Sequence, residues 1–273
     1  MLHQEFAAPA TLRDAIKCFW HNRWDFGAQP SSFEVLPDGY AEIIFCFGSV
    51  ARDGVALSSP FMMGLLNHPV VFEAAGKLEI IGVRCYPWTV FDLLGLPPGT
   101  QGVQAFEHSI AALQPALAAH LAAGAITAAV AEVQRYFLQA PAQVRLAVDG
   151  TLSKAGAALR EAGGALPVSA VAAAAHATVR TLERKFKQSS GHTVKDVSGL
   201  MRFEQVRNRL WNAPGVNLAD LARELGYTDQ SHLSREFKRY SGATPAAFSR
   251  KAQQGRQAVG EDFVAFVQAP RGD

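Results

Sequence analysis

Two runs of the sequence place the same side chains at the same steps. Leu182-Glu-Arg-Lys-Phe-Lys-Gln-Ser-Ser-Gly-His-Thr193 aligns with Leu233-Ser-Arg-Glu-Phe-Lys-Arg-Tyr-Ser-Gly-Ala-Thr244 at an offset of 51, with seven of twelve residues identical. In a helix, Leu182 and Phe186 lie one turn apart on one face, as do Leu233 and Phe237. That assigns the apolar pair to a core and leaves Arg184 with Lys187, and Arg235 with Lys238, on other faces. A guanidinium offers a planar fork of donors and a lysine offers a point charge, so the chemistry available is recognition of a polyanion.

The elements that must hold these side chains are legible nearby. Before each run stands a short apolar helix and a turn, Val168–His176 and then Leu218–Gly226. Short helix, tight turn and basic helix, repeated, describe a duplicated helix-turn-helix. Gly226 suits a turn conformation costly for other residues, and Thr178 and Asp229 are placed to cap the basic helices. Leu218, Leu221 and Ala222 are the expected neighbours of Leu233 and Phe237. Ser231, Ser234, Arg235 and Lys238 are expected on the outer faces of the second copy, with Arg180, Glu183, Arg184 and Lys187 on those of the first. A long helix over about Val194 to Trp211 would fix the separation of the copies, which on two major grooves of one DNA face is roughly 34 Å. The charge agrees: residues 168–251 hold 14 Lys and Arg against 7 Asp and Glu, a net +7, whereas residues 1–167 hold 10 against 14, a net −4.

These residues resemble the AraC/XylS transcriptional regulators. The signature is Leu225-Gly226-Tyr227-x-Asp229-x-Ser231-x-Leu233-x-Arg235-x-Phe237-Lys238-Arg239, then Gly242-x-Thr244-Pro245 and Phe248, and the resemblance covers residues 166–251. The first copy departs from it, with His176 where the family usually has Gly, Thr178 where it often has Ser, and Val194 where Pro is common. His176 is read as a packing residue beside its alanine-rich helix. The resemblance implies that Arg180, Glu183 and Arg184 of the first copy, and Gln230, Ser231 and Arg235 of the second, face base edges. Thr178, Lys187, Lys238 and Arg239 are the expected phosphate contacts. It implies double-stranded DNA as partner through two successive major grooves, with RNA polymerase and a second copy of the chain as further partners. Upstream, Pro37-Asp38-Gly39 before a hydrophobic strand, and Gly82-Val-Arg-Cys-Tyr-Pro87 followed by Leu93-Leu-Gly95, resemble the uncharacterised N-terminal domains of many such regulators. In that setting the domain binds a small-molecule effector, dimerises, or does both.

The remainder of the chain sets the fold class. Tyr40–Phe47 follows a Pro-Asp-Gly turn signal and Leu78–Tyr86 follows Gly76, and both read as strands. Alanine- and leucine-rich helix is expected over about Ser109–Leu138, with Pro115 starting or kinking it, and again over Val144–Ala162 until Gly163-Gly164. The expected fold is α+β: a strand-rich α+β N-terminal domain over 1–140, then an all-α DNA-binding domain over 141–255 and a tail over 256–273. Its two helix-turn-helix modules span about 167–191 and 217–242.

Several functions are argued against by composition. Cys18, Cys46 and Cys85 are spaced 28 and 39 apart, which supplies neither a disulfide scaffold nor a clustered zinc site, and they read as small core residues of a protein in a reducing cytoplasm. A DNA-tethered repair enzyme would need such a zinc site with an activated thiolate. No phosphate loop, His-Glu-x-x-His helix or Gly-x-Ser-x-Gly elbow occurs, so no catalytic residue, metal or cofactor is expected. The alternatives that stay open are such a tethered enzyme and a regulator controlled by a protein partner. Glu5 interrupts the first residues, the uncharged stretches 55–72 and 108–131 carry prolines and polar residues, and neither a secretory leader nor a membrane span is expected. His68 reads as a loop residue.

Overall fold

The computed structural model describes residues 2–96, 102–139, 150–259 and 266–267. The expected boundary near residue 140, the start of the helix expected from Val144, and Arg271-Gly272-Asp273 lie outside the described residues. The chain divides into two compact units, one of residues 1–32, 40–64 and 71–148, the other of residues 33–39, 65–70 and 149–273.

The first unit is built on an antiparallel sheet. Its strands are β1 (Leu2–Ala7), β2 (Ile16–Asp25), β4 (Ala41–Arg52), β5 (Val55–Ala56), β6 (Phe61–Met63), β7 (Val70–Cys85) and β8 (Val103–Ala105), with β3 (Ser31–Val35) between β2 and β4 in the chain. The order across the sheet is β1-β2-β7-β4-β6-β8. Phe19 stands opposite Val83, Ile43 opposite Val83 from the other side, and Phe45 opposite Ile81, so one face of the sheet is continuous and apolar. Helices α2 (Gln114–Ala122) and α3 (Ile126–Gln139) cover it with Leu117, Val130, Val133 and Phe137, and Phe19 meets Phe137 at 6.4 Å between ring centroids. A short helix α1 (Val90–Leu94) adds Val90, Phe91, Leu93 and Leu94 to the same core. Pro115 begins α2 and does not kink it. On the other face, Trp20 lies flat against Gly82, where a Cβ would come within 2.0 Å of the indole.

Two buried ion pairs lie inside this unit. The guanidinium of Arg84 donates to Glu42 at 2.8 Å, with both side chains almost fully buried. His21, wholly buried, holds Glu79 at 2.7 Å through Nε2, while Nδ1 has no hydrogen-bond partner among the described residues. Burial pushes its pKa below the ordinary histidine value, against the opposing pull of Glu79. A histidine whose folded pKa is depressed contributes stability above the unfolded value of about 6.5, lost as pH falls through the folded value. His108 shifts in the same direction, while His3, raised by its bond to Glu5, opposes it. The melting temperature of the wild type therefore falls on acidification from about pH 7 to 5, and His21→Gln makes that fall shallower. An unchanged pH slope in the variant would contradict this role for His21.

The second unit is helical. It contains α4 (Gly150–Glu161), α5 (Val168–Ala174), α6 (Val179–Ser190), α7 (Val194–Asn212), α8 (Leu218–Glu224), α9 (Gln230–Ser241) and α10 (Pro245–Val259). Left-handed glycines at 163 (φ 55) and 164 (φ 78) stop the chain after α4. The long helix α7 starts on a capping box, in which Thr193 Oγ1 accepts from the Asp196 N–H and the Asp196 carboxylate accepts from the Thr193 N–H. It buries Val197, Leu200, Phe203, Val206 and Leu210. Phe203 is the hub, 5.1 Å from Phe237 and 5.3 Å from Tyr240 between centroids. Residues 33–39 join this unit: the buried Arg207 donates to the Pro37 carbonyl at 3.1 Å, and a short strand β9 (Phe266–Val267) pairs with Glu34 and Val35. Nothing in the spacing of residues 33–39 announces that attachment.

Candidate nucleic-acid interface

Each basic helix is started by a side chain and rooted by an apolar pair. Thr178 Oγ1 accepts from the Thr181 N–H at the start of α6, and the Asp229 carboxylate accepts from the His232 N–H at 2.6 Å at the start of α9. Leu182 with Phe186, and Leu233 with Phe237, have no exposed surface. Both helices end on a left-handed glycine, Gly191 and Gly242. Among the expected neighbours, Leu221 and Ala222 are buried and Leu218 is half-buried.

This rooting sets which side chains reach out. Arg180, Arg184 and Lys187, at steps of four and three, form an exposed stripe on α6. Ser231, Arg235 and Lys238 form the same stripe on α9, flanked by exposed Gln230 and Arg239, while Ser234 is half-buried. The Arg239 guanidinium lies 5.1 Å from the Tyr240 ring. Arg184 and Arg235 have no ion-pair partner among the described residues, which leaves both guanidiniums available to an incoming anion. Thr178 is exposed at the head of its helix.

Glu183 is placed differently from the expectation. Its side chain is half-buried, and the carboxylate accepts the Val194 N–H at 3.2 Å, at the first turn of α7. A carboxylate at a helix N-terminus satisfies an orphan donor and meets the positive end of the helix dipole, which turns Glu183 inward.

The two turns also differ. His176 and Gly226 each stand two residues after the last helical residue, and both are left-handed, with φ 51 and φ 74. The offset between these two is 50, whereas it is 51 across the basic helices, so the second turn is one residue longer. His176 is exposed. It is therefore a strained turn residue and not the packing residue expected, because this turn needs a left-handed backbone whatever the side chain. His176→Gly should raise stability by about 0.5–1 kcal/mol, read by thermal melting. A lowered melting temperature would mean that the imidazole makes a contact worth more than the strain.

Sequence reasoning missed a second set of residues. Arg202 on α7 donates to the Gly164 carbonyl at 2.9 Å and to both oxygens of Glu236 on α9 at 3.2 and 3.1 Å. No repeat or spacing rule marks Arg202, since its partners stand 38 and 34 residues away in sequence.

The cysteines do not offer a nucleophile. All three are buried, burial pushes the thiols of Cys18 and Cys46 up to about 12, and Cys85 is raised well above its ordinary value. Such groups stay protonated at neutral pH. Among the described residues no group of three or more His, Cys, Asp or Glu is placed to hold a metal ion, and no helix is long and apolar enough to cross a membrane.

Residues 171–251 match a family described as a helix-turn-helix domain, and residues 4–102 match a domain of unknown function, DUF6597. No curated protein is significantly similar to the chain. Among solved structures, ToxT from Vibrio cholerae O395 is 11% identical with a TM-score of 0.45, over 85% of this chain and 97% of that one. The DNA-binding domain of AdpA, solved with a target DNA, is 23% identical over 40% of this chain and 98% of that one, with a TM-score of 0.36. The C-terminal domain of AraT, a response regulator from Geobacillus stearothermophilus, is 21% identical over 38% and 87%, with a TM-score of 0.36. The sequence match over 171–251 coincides with the two capped basic helices, so the helical unit carries a helix-turn-helix domain, and the sheet unit carries a domain of unknown function over residues 4–102.

Proposed function

We propose that α6 and α9 enter two successive major grooves on one face of double-stranded DNA, as the reading heads of a sequence-specific transcription regulator. The observation that carries this is the repeated exposed stripe, Arg180–Arg184–Lys187 and Ser231–Arg235–Lys238, rooted each time by a buried Leu–Phe pair. Arg180, Arg184, Gln230, Ser231 and Arg235 face base edges in this reading, while Thr178, Lys187, Lys238 and Arg239 hold phosphates. Glu183 orders the junction to α7 instead of reading a base. The DNA-binding domain is proposed as 141–255 with 1–140 regulatory, while residues 33–39 and 65–70 pack with the helical unit and α10 and β9 carry structure into the proposed 256–273 tail.

The N-terminal unit is proposed to receive a small-molecule effector. Support comes from an open cleft of about 800 Å³ whose lining mixes Phe47 and Trp24 with Arg23, Lys77 and Glu79. RNA polymerase and a second copy of the chain are its proposed protein partners, and the cytoplasm its compartment, in keeping with three free buried cysteines. The test of DNA recognition is titration of the chain with duplex DNA at stepped salt. Six to ten neutralised phosphates give a log–log slope of roughly −5 to −9. Salt-independent affinity, or no binding at low salt, overturns the reading.

A further inference from the structure

The two basic helices are tied to the same central helix by carboxylates, but at different points and by different chemistry. Glu183 of α6 takes a backbone N–H at Val194, the first residue of α7. Glu236 of α9 takes the guanidinium of Arg202, which lies within the same helix. In the repeat Glu236 corresponds to Lys185, so the first module cannot make the second tie.

Arg202 gathers three segments at once. One arm donates to the Gly164 carbonyl, the other grips Glu236 at both oxygens, and the guanidinium lies 5.1 Å from the ring of Tyr227. Tyr227 is buried and belongs to the longer turn of the second module. The Arg202 and Glu236 side chains are only 13% and 14% exposed, so water competes little for the bond. Glycines allow this close packing. A Cβ at Gly199 would come within 2.8 Å of Tyr240 Oη, and one at Gly164 within 2.4 Å of the Ser198 carbonyl. A Cβ at Gly226 would come within 3.0 Å of Ala165.

We propose that Arg202 is a positioning residue that fixes the setting of α9 on α7, and thereby the single half-site spacing that the chain accepts on DNA. This rests on the reading of α6 and α9 as the groove-reading helices. A 12-residue helix is about 18 Å long, so a tilt of roughly 10° moves one end by about 3 Å. Such a displacement separates a donor from a base edge, because hydrogen bonds tolerate only a few tenths of an ångström. A planar fork that holds the reading helix, its turn and the Gly163-Gly164 loop resists that tilt, and a lysine at the same place reaches fewer of them.

The experiment uses the full chain and a set of duplexes carrying its selected site with the half-site spacing changed by −1, 0 or +1 base pair, together with an unrelated duplex. The probes are the wild type, Arg202→Met, Arg202→Lys and the isosteric Glu236→Gln, each with a thermal melt. The wild type is expected to favour one spacing by at least tenfold. Arg202→Met loses that tenfold on the preferred spacing while changing less than about twofold on the shifted and unrelated duplexes, so the preference flattens. Arg202→Lys recovers part of it, and Glu236→Gln flattens it without loss of fold. An equal loss on every duplex that follows a lowered melting temperature assigns Arg202 to stability alone and overturns the proposal. An unchanged spacing preference in folded Glu236→Gln and Arg202→Met overturns it as well. If the wild type itself selects no sequence, the groove-reading assignment of α6 and α9 falls, and the role of Arg202 falls with it.

Discussion

Phe237→Ala is expected to destabilise the helical unit by about 3–5 kcal/mol, the usual cost of truncating a fully buried phenylalanine. Phe237 has no exposed surface and lies 5.1 Å from Phe203 and 5.4 Å from Phe248 between centroids. It therefore joins α9 to both α7 and α10. A domain is stabilised by only about 5–15 kcal/mol in total, so the helical unit should melt well before that of the wild type. Weakened DNA binding in this variant is then a consequence of lost fold. Arg235→Ala, at an exposed position two residues earlier, should stay within about 0.5 kcal/mol of the wild type. Melts of the two variants followed by helical circular dichroism check the pair. A normal melt for Phe237→Ala together with lost DNA binding would place Phe237 at the DNA surface and reverse the faces of α9.

Arg235→Ala and Lys238→Ala are expected to fail in different ways, although they stand three residues apart on one exposed stripe. The Arg235 fork matches the two acceptors of a guanine edge, a contact that contributes about 1–3 kcal/mol of discrimination. Its loss lowers specific binding by roughly 5- to 150-fold and leaves non-specific binding nearly unchanged. Lys238 acts as a point charge on a phosphate, so its loss weakens binding to all sequences alike and reduces the salt slope by about one. Titrations on the selected site and on an unrelated duplex at several salt concentrations separate the two. Equal effects of both substitutions on the ratio of specific to non-specific affinity would contradict the division of roles.

The helical unit was the more legible half of the chain because its determinants are local. Thr178 and Asp229 cap helices that begin at the next residue, and Leu182 and Phe186 need only helical periodicity to be assigned inward. The long helix expected over Val194–Trp211 is observed over Val194–Asn212 for the same reason. The bond from the Val194 N–H to Glu183 is not legible in the sequence, because that donor is orphaned only once α7 has formed. The Arg202 tie was invisible because its three partners come from separate loops and helices.

In the sheet, only stretches of β4 and β7 carried a sequence signal. Strand β2 gave none, since His21 and Asn22 are polar yet fully buried after the buried run Cys18–Trp20, which erases the alternation of a half-exposed strand. Strand β7 starts at Val70, eight residues before the stretch expected from Leu78, and runs straight through Gly76. The left-handed Gly76 (φ 68) sits beside the register shift between Phe47 and Ser49, so it bends the strand instead of ending it.

The most direct test of two modules reading one face of DNA is methylation interference at guanine N7 on a selected duplex. Arg184 and Arg235 occupy the same step of the repeat and are both exposed, so one interfering guanine is expected per half-site, about 10–10.5 base pairs apart on the same face. Arg235→Ala should abolish interference in one half-site and Arg184→Ala in the other. Interference confined to a single groove, or loss of both guanines from either substitution, would contradict the account.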